Sequence, residues 1–103
     1  MSPSAGGTVV AVAGELDLAT GPGLEQALGE QLGASGRVIL DLARVTFMDS
    51  SGVRILRDAV RAPQAASGGL TIRPALHDHV RQVLELTGML ALLPFEPRGD
   101  RAS

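Results

Sequence analysis

Asp49, Ser50, Ser51 and Gly52 stand in a row, after Phe47 and Met48 and before the amphipathic stretch that begins at Val53. Two hydroxyls and a carboxylate at the start of a helix lie where backbone N–H groups have no intrahelical partner, and such an end favours an anion. At its plainest, Asp49 or Ser50 is an N-cap contributing about 1 kcal/mol. The sharper alternative is a serine that accepts a phosphoryl group. Phosphoserine would bring roughly −1.5 to −2 of charge, held in part by the helix N–H groups and by Arg54. Asp17 closes the run Thr8 to Leu16 with Gly14-Glu15-Leu16-Asp17. If the strands ending at Asp17 and Leu42 run parallel, both open on one sheet edge, where α/β proteins place their sites. Asp17 and the loop 43–50 then converge.

Other chemistries fit less well. His77 and His79 could suggest zinc, but two residues at a helix start diverge and no third ligand has suitable spacing, so no metal is expected. Ser50 with a histidine and an aspartate lacks both a Gly-x-Ser-x-Gly elbow and an oxyanion loop, which argues against a hydrolase. Asp41 imitates the phosphoacceptor of a receiver domain, yet a receiver also carries a late lysine and this chain has none. Asp41 is expected instead to hydrogen-bond loop backbone. Lys, Asn, Cys, Trp and Tyr are all absent, which removes Schiff bases, a Walker lysine, disulfides and thiolate chemistry. Several enzyme classes go with them, and no cofactor is expected.

The chain has 103 residues, 45% of them apolar, which suits one domain. A net charge of −2 provides no field for phosphate backbones, so nucleic acid is not an expected partner. No apolar stretch approaches the ~20 residues a bilayer requires, no secretory signal opens the chain, and cysteine is missing, so the cytoplasm is the expected compartment.

The elements that must position these residues alternate. A strand spans Thr8 to Leu16, and a helix begins near Thr20 and Pro22 and carries Leu24, Ala27, Leu28, Gln31 and Leu32 to a stop at Gly33-Ala34-Ser35-Gly36. Val38 to Leu42 reads as a central strand covered on both faces, with Ala43 to Met48 as a connection. Val53, Leu56, Ala59 and Val60 mark a second helix that ends near Ala62-Pro63, with Arg54, Arg57 and Arg61 as a solvated stripe. Leu70-Thr71-Ile72 is a short strand. Val80, Val83, Leu84 and Thr87 form a third helix closed by Gly88, and Ala91 to Phe95 suggests a last strand. Phe47 is expected in the core. The class is α/β: one domain over residues 8–96, with residues 1–7 as a loose tail and 97–103 as a C-terminal tail.

Gly14-Glu15-Leu16-Asp17, Phe47-Met48-Asp49-Ser50-Ser51-Gly52-Val53 and Val83-Leu84-Glu85-Leu86-Thr87-Gly88 resemble, in order and spacing, the STAS domain of bacterial anti-sigma factor antagonists. The resemblance covers about Thr8 to Phe95. It implies a mainly parallel, mixed sheet of four to five strands with three to four helices. Only seven residues precede Thr8, where the family has a further strand, so four strands are the expectation. It also implies a cytoplasmic regulator that catalyses nothing and, when unphosphorylated, binds an anti-sigma factor and frees its sigma factor. That partner is typically a serine kinase acting on the first serine of the Asp-Ser-Ser-Gly run, here Ser50, and a PP2C-type phosphatase restores binding. Asp17, Asp49, Ser51, Gly52 and Arg54 are the expected partner-facing neighbours, Gly52 by letting the partner approach its backbone. A STAS scaffold or signal-sensing module without the switch is the alternative.

Overall fold

The computed structural model describes residues 2–4, 7–35, 37–66 and 68–96. The element order is β1 (Ser2–Ser4), β2 (Gly7–Leu16), α1 (Gly21–Ser35), β3 (Val38–Met48), α2 (Ser50–Arg61), α3 (Pro63–Ala66), β4 (Leu70–Ile72) and α4 (Asp78–Leu86). β2, β3 and β4 are parallel neighbours, and β1 lies antiparallel to β2, giving a mixed four-stranded sheet in the order β1-β2-β3-β4. Residues 2–4, expected in a loose tail, therefore belong to the sheet: Ser2 pairs with Val9 and Ser4 with Gly7. The rest of that tail, residues 1, 5 and 6, and the C-terminal tail 97–103 lie outside the described residues.

Burial alternates along β2. Val10 and Leu16 are buried, whereas Ala11, Ala13 and Glu15 are exposed, so one face of the sheet is covered and the other is open. The covered face meets α1 through Leu24, Leu28 and Leu32, spaced four apart and all buried. Gly29 and Gly33 each weaken that helix by about 1 kcal/mol relative to alanine, so packing must hold it. Where a Cβ on Gly21 would stand, the Ile55 methyl of α2 already sits, which seats the start of α1 on α2.

The central strand is longer than its apolar run. β3 buries Val38, Leu40 and Leu42 at intervals of two, then Val45 and Met48 at intervals of three. The register explains the change: Ala11 pairs with Asp41 but Ala13 with Arg44, and Gly14 pairs with Val45 but Glu15 with Phe47. One extra β3 residue enters at each point. Two bulges thus carry the strand through the stretch expected as a connection, and they erase the period-two signal there. They also turn Phe47 outward. It is 42% exposed and stacks on His79 with ring centroids 5.3 Å apart, rather than entering the core.

α2 buries Gly52, Val53, Ile55, Leu56 and Ala59 and exposes Arg54, Arg57, Asp58 and Arg61. Its stop is Ala62, extended at φ −64° and ψ 145° as the residue before Pro63 must be. His77 caps α4, its side chain accepting the His79 N–H, and Gly88 follows the helix at φ 78°, a conformation glycine adopts without strain. Residues 90–92 turn. Of the expected last strand only a single parallel bridge between Phe95 and Ile72 forms, with the Ile72 N–H on Pro94 and the Glu96 N–H on Ile72.

Candidate functional site

The carboxyl ends of β2 and β3 meet where the Asp49 N–H donates to the Leu16 carbonyl at 3.3 Å. That bond brings Asp17 and Asp49, each one residue past a strand, to the same edge. The Asp49 carboxylate then caps α2, accepting from the Ser51 N–H at 2.8 Å and the Gly52 N–H at 3.4 Å. Its backbone is extended and its carbonyl takes the Val53 N–H, so Asp49 rather than Ser50 is the cap.

Ser50, at the first helical position beyond that cap, is exposed, and no hydrogen bond engages its side chain among the described residues. Ser51 is half-buried. Gly52, expected to let a partner approach its backbone, is buried in this chain: a Cβ there would stand 2.9 Å from the Leu16 carbonyl oxygen, 2.8 Å from Met48 Cγ and 3.0 Å from Leu16 Cγ. Its bare backbone lets the first turn of α2 lie against the ends of β2 and β3. Gly52→Ala should cost about 1–3 kcal/mol, because the Leu16 carbonyl cannot swing aside as a flexible side chain would. Urea denaturation checks this; a midpoint equal to the wild-type value would contradict it.

Asp17 is occupied locally. Its Oδ1 accepts from the Ala19 N–H and the Thr20 N–H, each at 3.0 Å, and from the Thr20 hydroxyl at 3.1 Å. Thr20 Oγ1 in turn receives the Asp17 N–H at 3.0 Å and donates to the Glu15 carbonyl at 2.7 Å. The Thr20 N–H is the largest cause of an Asp17 pKa below the usual 3.8; desolvation opposes it, and the Thr20 hydroxyl and Ala19 N–H add to the lowering. A carboxyl depressed by folding stabilises the fold above its unfolded value and ceases to do so as pH falls through its folded value. Asp17 should therefore titrate below 3.8 by carbon-detected NMR, with the β2–α1 turn loosening only under that pH; a midpoint above 3.8 would contradict the hydrogen-bond set.

Arg54 lies one helical turn beyond Ser50, but its guanidinium is engaged by Asp58 at 3.2 Å and Glu25 of α1 at 3.6 Å, with 46% of the side chain exposed. Asp41 Oδ1 accepts the Ala43 N–H as expected, and Arg73 holds its other oxygen at 3.2 Å. One apolar side chain at this edge escaped the sequence reading, and one had been assigned to the core. Leu18, in the turn right after Asp17, is 77% exposed, and Phe47, two residues before Asp49, is 42% exposed. A large aliphatic inside a turn otherwise made of hydrogen-bonding residues was the available signal for Leu18. Among the described residues no group of three or more His, Cys, Asp or Glu is arranged to hold a metal ion, and no helix is long and apolar enough to cross a membrane.

Comparison with known proteins places this edge in context. The STAS domain family model matches residues 2–102. BtrV of Bordetella bronchiseptica is 30% identical over 87 residues, which cover 84% of this chain and 74% of BtrV. The anti-sigma-F factor antagonist RsfB of Mycobacterium tuberculosis is 34% identical over 77 residues, covering 67% of this chain and 63% of RsfB. The crystal structure of an anti-sigma factor antagonist from Mycobacterium paratuberculosis superposes with a TM-score of 0.77 at 30% identity, covering 96% of this chain and 84% of that one.

Proposed function

Since the chain belongs to the STAS domain family, we propose that it is an anti-sigma factor antagonist, switched by phosphorylation of Ser50. With Ser50 unmodified it docks on an anti-sigma factor in the cytoplasm and releases the sigma factor held there; it catalyses nothing itself. The partner doubles as a serine kinase that transfers the γ-phosphoryl group of ATP to Ser50 Oγ, and a PP2C-type phosphatase hydrolyses the ester again.

The observation that carries this reading is the placement of Ser50: exposed, with its hydroxyl unengaged among the described residues, at a rim flanked by the exposed apolar side chains of Leu18 and Phe47. Leu18 and Phe47 supply the apolar anchors of the docking surface, with Asp17, Asp49 and Ser51 as its polar rim. A phosphate on Ser50 would stand beside the Asp49 carboxylate, at about 3 kcal/mol per pair of unit charges for a separation of ~6 Å and an effective dielectric of about 20. Helix N–H groups offset part of that cost, and Arg54 can exchange Asp58 and Glu25 for the phosphate. What remains is a surface whose charge has changed with no refolding.

Incubation with the cognate kinase and ATP, followed by mass-spectrometric mapping, tests the assignment. The expected product carries one phosphoryl group, on Ser50, and Ser50→Ala carries none. A chain that stays unmodified while binding its partner would favour the non-switching scaffold instead.

A further inference from the structure

The chain has two phenylalanines, and they are used differently. Phe95 is half-buried where it bridges to β4, whereas Phe47 stands at the docking rim. The second bulge of β3 turns Phe47 outward while its neighbour Met48 stays buried. One face of the exposed ring meets α4. There the His79 imidazole lies against it with 11° between the ring planes and centroids 5.3 Å apart, a stacked pair within the favourable range for aromatic rings.

His79 is held in place from its backbone. Val80 and Leu84 are fully buried and seat α4 on the core, and the His77 side chain caps the helix by accepting the His79 N–H at 3.3 Å. The imidazole itself is poorly served as a hydrogen-bonding group: its Nε2 is buried and has no partner among the described residues. A buried nitrogen left unpaired costs the fold and calls for a reason. The ring face turned to Phe47 supplies one.

We infer that His79 is a positioning residue for docking: its ring backs Phe47 and holds it in one orientation, with the opposite face of the phenyl ring presented to the anti-sigma factor. This rests on the antagonist reading above, in which Phe47 is an apolar anchor, and deepens it in two ways. It brings α4 into the docking machinery, and it requires an apolar wall on the partner opposite Phe47. An exposed phenyl ring otherwise samples several χ1 wells, and immobilising it on binding lowers affinity. A ring already fixed by a stack avoids that loss, because the ordering is complete before the partner arrives. The expected gain is about fivefold in affinity. Nothing in it depends on the charge of Ser50.

The free chain and the complex test this together. In the free wild-type chain Phe47 should occupy a single χ1 rotamer, read from side-chain three-bond couplings by NMR. His79→Ala and His79→Gln should leave Phe47 averaged over rotamers; His79→Phe, which keeps a ring and removes the unpaired nitrogen, should restore the single rotamer. In titrations of the anti-sigma factor, His79→Gln should bind about fivefold more weakly than wild type and His79→Phe equally well. Adding His79→Gln to Phe47→Ala should weaken binding no further, because the ring that His79 positions is gone. A Phe47 that keeps one rotamer in both His79→Ala and His79→Gln would overturn the inference, as would additive losses in the double variant or wild-type affinity of Phe47→Ala. If neither wild type nor Ser50→Ala binds an anti-sigma factor, the antagonist reading fails instead, and the couplings in the free chain still decide whether His79 fixes Phe47.

Discussion

Ser50→Glu should bind the anti-sigma factor about thirty-fold more weakly than the unmodified chain, while Ser50→Ala should bind as tightly as wild type and never be switched off. The size follows from charge alone. A single carboxylate near an acidic group of the partner adds up to about 3 kcal/mol of repulsion at ~6 Å, and about 2 kcal/mol already amounts to that factor. Because Ser50 is exposed and unengaged among the described residues, neither substitution removes a contact from the fold, so both variants should melt near the wild-type temperature. Fluorescence anisotropy with labelled partner reads the difference. Equal affinities for the two variants would count against an electrostatic switch.

The second large effect belongs to Leu16. Its side chain is fully buried among the core residues, its carbonyl holds the Asp49 N–H, and its Cγ fills the space beside Gly52. Leu16→Ala should cost 2–5 kcal/mol, roughly 10–25 °C in Tm for a domain of this size. The loss should reach the site as well as the core, since a cavity under Gly52 frees the first turn of α2. Faster amide exchange at Ser51 and Gly52 would show this. Leu84→Ala, equally buried but on α4, should lose comparable stability while leaving those two amides protected. Equal exchange in both variants would separate the core from the site and contradict the coupling.

Those two residues also illustrate what could be read from the chain alone. Asp49, Ser50 and Ser51 were legible because a capping aspartate before a strongly amphipathic run has one common meaning, and the structure sets them at the start of α2. Leu70 to Ile72 was legible as a strand because two apolar residues flank a threonine directly after Gly68-Gly69. The far half of β3 was not, since its two bulges move the buried positions from Leu42 to Val45 to Met48 and leave no alternation to detect. Phe47 followed the same fate: hydrophobicity alone predicts it inside, and only the bulge explains why it stacks on His79 at the surface. Gly52 stands against the chain's own Leu16 and Met48, a contact that a bare glycine does not reveal in the sequence. β1 escaped because a Ser-Pro-Ser strand has almost no propensity of its own and exists only by pairing with Gly7 to Val9.

The central claim is that the charge on one exposed hydroxyl decides docking. Calorimetric titration of the anti-sigma factor with the unmodified chain and with the same chain carrying phosphate on Ser50 measures that directly. Affinity should fall by about thirty-fold or more on phosphorylation, with the fold unchanged by circular dichroism; two forms that bind equally well would contradict the account.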